Sequence, residues 1–326
     1  MSRFLFTLLI LLALVAPLTV LGQVPGGFGG NISLTLSPEF PRPNERVTAT
    51  LAGFSVDVSR AEISWSLDGA LLARGVGARK VSFTAGKAGG SKTLTVSVVS
   101  PLQGSYRETV FIRPAEVDIL WGTEGYLPPF YKGKALPTSK APITLVAMPS
   151  FVAASGRALA PETLVYEWRR DERVLFTESG FGKQRLTVEG PVLFQDTIVS
   201  VTVSSLDKTL EAKKTIALDA FLPKILFYEK HPLRGVVYEH ALGETFALPR
   251  EEFVLRAEPY FFPKESVASG GLDFSWSVNS ARVLSDKREE LTLRREGEAR
   301  GSSSIRLEIK DIVRLVQAAA ALLVQF

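Results

Sequence analysis

At 326 residues, 46% hydrophobic and 22% charged, the chain is long enough for two or three domains and too apolar to remain disordered. The formal net charge of +4 is spread over 38 basic and 34 acidic residues, and the basic clusters are pairs such as Lys213-Lys214 and Arg294-Arg295, so nothing resembles a phosphate-tracking stripe and nucleic acid is not expected as a partner. Without cysteine there is no thiol nucleophile, thiolate zinc site, acyl-cysteine anchor or disulfide framework.

Residues 1–22 have the pattern of a targeting segment: Arg3, an apolar run from Phe4, and Val20-Leu21-Gly22 before Gln23. Pro17 and the Gly-rich leader at 23–31 favour cleavage. Counted through Leu21 the run is 18 residues, which also suits an uncleaved membrane anchor. Either outcome predicts an exported chain, periplasmic, cell-surface or extracellular, touching membrane only through this segment.

The first domain is expected over 32–114. Val47-Thr-Ala-Thr-Leu51-Ala-Gly-Phe54 is a strand-like stretch, Ile63-Ser-Trp65-Ser-Leu67 alternates around a tryptophan, and Leu67-Asp68-Gly69-Ala70 is a two-residue hairpin signal. Val81-Ser-Phe83 follows, then Leu94/Val96/Val98 with the period of two that one buried strand face requires. The same signals return over 115–220 and 221–326, where Trp168 and Trp276 follow at intervals of 103 and 108 residues. Each has a strand ending in Phe upstream (143–151, 253–261). Downstream come Leu186-Thr-Val188 or Leu291-Thr-Leu293, and then Val199/Val201/Val203 or Ile305/Leu307/Ile309. One unit used three times predicts three domains, with Trp65, Trp168 and Trp276 in their cores.

In these residues the chain resembles the immunoglobulin-like superfamily, in particular the bacterial Ig-like, PKD-like and fibronectin-type modules strung along surface proteins. The resemblance rests on the three tryptophans as strand C residues and on the Trp-Ser-Leu-Asp-Gly run at 65–69, and it covers residues 32–326. It implies an all-β chain of three tandem immunoglobulin-like β-sandwiches. Phe54 and Val96 lie in the neighbourhood where antibody-type domains carry the disulfide cysteines.

The two internal junctions also repeat. Ile119-Leu120-Trp121 opens the first, which continues through Tyr126, Phe130 and Tyr131; Ile225-Leu226-Phe227 opens the second, followed by Tyr228 and Tyr238. A feature found at both internal boundaries reads as strand A of the new domain, with aromatics packing across the interface. The competing reading is a partner-binding patch. Trp121, Tyr126, Phe130, Tyr131, Phe227 and Tyr228 are therefore the candidate interaction or interdomain residues.

Chemistry is sparse. His231 and His240, nine apart, match no zinc spacing, and no Gly-x-Ser-x-Gly elbow presents a nucleophile. Asp171-Glu172, Glu251-Glu252 and Glu289-Glu290 sit where a solvated face needs charge. Asn31-Ile-Ser33 and Leu136-Pro-Thr-Ser are short fragments of common signals, and Leu322-Leu-Val-Gln-Phe326 reads as the last strand of the third sandwich. No catalytic residue, cofactor or metal is expected. The expectation is a non-enzymatic, exported cell-envelope scaffold within a surface assembly of pilus or secretion type, whose partners are other envelope proteins. The alternative is an adhesin or glycan binder using loop or junction aromatics.

Overall fold

The computed structural model describes residues 32–192, 195–295, 297 and 300–326; the targeting segment and leader expected over 1–31 lie outside the described residues. Domain 1 has seven strands: β1 (Ile32–Ser37), β2 (Arg46–Gly53), β3 (Glu62–Leu67), β4 (Ala70–Val76), β5 (Lys80–Thr84), β6 (Lys92–Ser100) and β7 (Gly104–Ile112). They form an antiparallel sheet β1-β2-β5 facing a sheet β4-β3-β6-β7. Alternation drives the pairing: Val47, Ala49 and Leu51 of one sheet meet Ile63, Trp65, Leu94, Val96 and Val98 of the other, all buried, while Thr48 and Thr50 face water.

Domain 2 repeats this order with β8 (Glu116–Thr123), β9 (Pro142–Ser150), β10 (Val165–Arg170), β11 (Arg173–Val174), β12 (Gly180–Phe181), β13 (Arg185–Glu189), β14 (Thr197–Ser204) and β15 (Glu211–Leu218). Sheet β13-β9-β8 packs on β11-β10-β14-β15, with β12 beside β10. Domain 3 comprises β16 (Lys224–His231), β17 (Gly235–Val236), β18 (Thr245–Ala247), β19 (Glu252–Tyr260), helix α1 (Lys264–Ser269), β20 (Leu272–Val278), β21 (Ala281–Val283), β22 (Glu290–Arg294), β23 (Ser302–Asp311) and β24 (Val316–Gln325). Its sheets are β17-β16-β19-β22 and β18-β24-β23-β20-β21. Three separate hydrophobic clusters, one per sandwich, make the chain an all-β tandem array of immunoglobulin-like domains.

Trp65, Trp168 and Trp276 lie in β3, β10 and β20, the same strand of each sandwich, and are buried. Each indole N–H donates to a backbone carbonyl just before the strand across the core: Ala78 at 2.7 Å, Lys183 at 2.9 Å and Arg288 at 2.9 Å. A large apolar ring is thus buried without leaving its one donor unpaired. Phe54 departs from the sequence expectation. It stands one residue beyond β2 and is 79% exposed, because it falls three positions after the inward Leu51 and so on the outward parity, whereas Phe151 and Phe261 fall four after the inward Ala147 and Ala257 and are buried.

The turn three residues after each tryptophan is shared in geometry although its sequence varies. Asp68-Gly69, Asp171-Glu172 and Asn279-Ser280 all have positive φ, as a two-residue hairpin matching strand twist demands. The first residue of each pins the turn to a neighbouring strand. The N–H of Thr93, Ile198 and Ser304 donates to Asp68 Oδ1, Asp171 Oδ1 and Asn279 Oδ1 at 2.8, 2.9 and 2.9 Å. Asp171→Ala should therefore cost domain 2 about 1–2 kcal/mol, from the lost bond and the left-handed backbone, while Asp171→Asn should cost less. Urea unfolding checks this, and equal losses would mean the side-chain acceptor is immaterial.

The two interdomain joints differ. Between domains 1 and 2, Gly89 at φ +76 lies so close to the next domain that a Cβ there would stand 2.8 Å from Val152 Cγ1. The partly exposed pair Arg42–Glu116 at 3.4 Å adds little. A cleft of about 490 Å³, lined in part by Gly90, Arg113, Leu159 and Leu206, stays open beside it. The joint between domains 2 and 3 is closed by a different device.

Candidate functional site at the seam between domains 2 and 3

The chain between β8 and β9, residues 124–141, leaves domain 2 and drapes over the outer face of β16 and β19 in domain 3. Backbone bonds fix this strap. Tyr126 N–H donates to Phe262 O at 2.6 Å, Phe261 N–H to Tyr126 O at 2.9 Å, and Lys264 N–H to Glu124 O at 2.9 Å. Farther along, Phe221 N–H donates to Pro137 O at 2.8 Å and the Thr138 hydroxyl donates to Phe261 O.

Period two places Arg256, Glu258 and Tyr260 on one face of β19 while Phe253, Leu255 and Ala257 fill the core. An outer sheet face is normally solvated, yet the Glu258 side chain is fully buried. Its Oε2 accepts from the Tyr126 hydroxyl at 2.9 Å; its Oε1 accepts from the Tyr238 hydroxyl at 2.9 Å and from Arg256 Nε at 3.0 Å. The donors come from both domains. A buried carboxylate held by three donors is stable only while all of them stay in place.

Aromatic rings seal the carboxylate. Tyr228 and Tyr260 share a hydroxyl–hydroxyl bond at 2.5 Å, Tyr131 meets Tyr260 edge-on at 5.6 Å between ring centroids, and Tyr228 lies 5.3 Å from Tyr238. Tyr228, Tyr260 and Phe261 form a buried cluster of their own, with Leu127 and Leu136 of the strap against it. Nearby, Glu290 bonds Lys230 at 2.7 and 2.8 Å and lies 3.5 Å from Arg256. Burial pushes its carboxyl up, but Lys230, Lys287 and Arg256 outweigh that and hold it below the usual range.

Burial, reinforced by the Glu258 charge, pushes the Tyr238 hydroxyl up to about 12 and raises Tyr126 as well; Tyr260 is raised by burial and by its bond to Tyr228. Desolvation pulls Arg256 down, but the charge of Glu258 outweighs it and the guanidinium is held more firmly protonated. These tyrosines stabilise the seam as neutral donors. A raised folded pKa on an acid means that this stability is complete below the ordinary tyrosine value of 10 and is lost as the pH rises toward 12. Alkaline titration should open the seam over that window, read as tyrosinate absorbance rising together with loss of interdomain order. Tyrosinate forming without loosening would contradict it.

The structure separates the six candidate residues. Tyr126, Phe130, Tyr131 and Tyr228 converge on this seam. Tyr126, Phe130 and Tyr131 follow the first boundary in sequence, yet the domain they meet is the third and not the first, because the strap runs forward from β8. Trp121 stays in domain 2, packed partly on its core, with Lys134 Nζ 3.2 Å above its ring. Phe227 lies in the domain 3 core beside Trp276, at 5.8 Å, because it shares the inward face of β16 with Ile225. Sequence reasoning missed Glu258, Arg256 and Tyr260, and noted Tyr238 in the second junction without making it a candidate. The available signal was a polar and aromatic outer face on β19 where the same strand of domain 1 carries threonines.

No group of three or more His, Cys, Asp or Glu among the described residues could hold a metal ion. No protein-family model and no curated protein matches the chain. Among solved structures it is similar to the three N-terminal domains of the bacteriophage RB49 highly immunogenic outer capsid protein, at 11% identity over 90% of this chain and 97% of that one, TM-score 0.27. It is also similar to immunoglobulin domains 1–5 of Sidekick-1, at 11% identity over 88% and 56%, TM-score 0.29, and to the central fibronectin-III array of RIM-binding protein, at 12% over 91% and 98%, TM-score 0.22. At these scores the class rests on the chain's own sheets and cores: a tandem array of immunoglobulin-like β-sandwiches.

Proposed function

We propose that the chain is a non-enzymatic exported protein of the cell envelope that works as a rigid scaffold or interaction arm, holding other envelope proteins at a set spacing within a surface assembly of pilus or secretion type. The observation that carries this reading is the seam. Sealing Glu258 beneath a strap from the preceding domain fixes orientation, and a substrate has no path to a carboxylate buried under five tyrosines. Export is supported by the Phe4–Leu21 run. The test is protease added to intact cells and to spheroplasts of the host: cleavage of this chain in one or both while cytoplasmic proteins survive is expected, and protection in both alongside them would sink the reading.

Phe130 favours a second reading. It stands 85% exposed at φ 67 on the strap, with Tyr131 beside it at 40%. Two exposed rings on a fixed loop suit the apolar face of a glycan. Glycan-array binding that disappears in Phe130→Ala would support this adhesin function, and an array without signal would count against it.

A further inference from the structure

The end of domain 1 away from domain 2 gathers exposed apolar side chains on braced loops. Phe54, Val76, Val99 and Leu102 are 79%, 72%, 50% and 92% exposed. Register places them together: Glu62 pairs with both Val76 and Val99, Phe54 follows the end of β2, and Leu102 occupies the turn between β6 and β7. The loops are held in place by Gln103, whose Nε2 donates to Ser55 O at 2.6 Å while its Oε1 accepts from Asp57 N–H at 3.0 Å. Apolar groups on a fixed frame bind at low entropic cost. The loop after β9 meets Gly89 of domain 1 and the residues after β19 meet the strap, while Leu206 of domain 2 and Ile312, Val313 and Leu315 of domain 3 stay exposed in the turns equivalent to that of Leu102.

Two further observations say what covers this end. The pairing of Ile32 with Gly53 brings the chain in at the same end, and ten residues separate Ile32 from the last residue of the apolar run, Leu21, a reach of at most about 40 Å. Residues 32–114 carry ten Lys and Arg against six Asp and Glu, a net +4 equal to that of the whole chain. Exposed Arg60, Arg79, Lys80 and Arg107 lie at or near this end; of its acids, Asp57 is paired with Arg60 and Glu62 with Arg74.

We propose that the free end of domain 1 docks on an anionic lipid surface, with Phe54 and Leu102 entering the headgroup region and the basic side chains meeting its phosphates. Apolar insertion combined with basic charge is the two-signal pattern that holds a folded domain at a membrane. The inference rests on the reading of the chain as exported, and protease protection in both intact cells and spheroplasts would fail that reading separately.

The chain has no cysteine, so Leu102→Cys takes a single environment-sensitive fluorophore. Leu233→Cys, 91% exposed in the hairpin between β16 and β17 at the far end of domain 3, is the control. The full chain is added to brominated phosphatidylcholine vesicles with and without phosphatidylglycerol. The label at 102 should shift to the blue and be quenched only with phosphatidylglycerol, the label at 233 should not respond, and Arg79→Glu combined with Lys80→Glu should lose the quenching. A label at 102 that stays in water while the chain sediments with the vesicles would overturn the proposal, leaving the N-terminal run as the only contact. Equal quenching on both vesicles, or quenching that survives the charge reversal, would remove the electrostatic argument and overturn it too. A blue shift before lipid is added would assign the site to the chain's own apolar run or a second copy, and a shift produced only by added envelope protein would assign it to a protein partner.

Discussion

Replacing Trp168 by Ala should cost domain 2 about 3–5 kcal/mol, enough to unfold a domain of ordinary stability. The ring is fully buried between the two sheets, and its loss also strands the Lys183 carbonyl that accepts its N–H at 2.9 Å. The effect should not stop at the domain. The strap that covers Glu258 is anchored in β8 and β9, so unfolding domain 2 should uncover the outer face of β19 and lower the melting transition of domain 3 as well. Trp65→Ala should lower the transition of domain 1 and leave the other two in place. Differential scanning calorimetry separates these outcomes. A Trp168→Ala chain that loses only the domain 2 transition would show that the strap contributes nothing to domain 3.

Glu258→Ala should be nearly as costly, at about 3–5 kcal/mol, because it leaves the Arg256 guanidinium and the Tyr126 and Tyr238 hydroxyls buried without their acceptor. Glu258→Gln keeps acceptor capacity and should cost less. Tyr126→Phe deletes a single donor and should cost on the order of 1–3 kcal/mol. The order Ala, then Gln and Phe, is the signature of a satisfied buried network; a Glu258→Ala chain of unchanged stability would mean that water reaches the carboxylate.

Much of the fold was legible because it repeats. Apolar alternation at Leu94/Val96/Val98 and its two counterparts reports a buried strand face directly, and a tryptophan at near-constant spacing marks one strand in every unit. The hairpin turn was legible only where Asp68-Gly69 spells it out; Asp171-Glu172 and Asn279-Ser280 adopt the same geometry with less favourable residues, held by the bonds from Ile198 and Ser304. The seam was half legible. Tyrosines crowded at the junctions pointed to packing between domains, but which domain they meet depends on the direction the strap takes after β8, and no local pattern encodes that. Glu258 taken alone gave no signal, because an acid on the outer face of a strand reads as solvated until a distant segment covers it; only the polar and aromatic face it shares with Arg256 and Tyr260 set β19 apart.

The central claim is that the strap locks domains 2 and 3 into one unit. Phe176→Cys and Leu284→Cys, at positions 84% and 93% exposed in the two domains, allow a spin-label pair in a chain without native cysteine. Pulsed dipolar spectroscopy should give a single narrow distance distribution in this background, and a broad one once Tyr126→Ala or Tyr131→Ala, both on the strap, is added while each sandwich remains folded. A broad distribution in the background, or one left narrow by both substitutions, would contradict the claim.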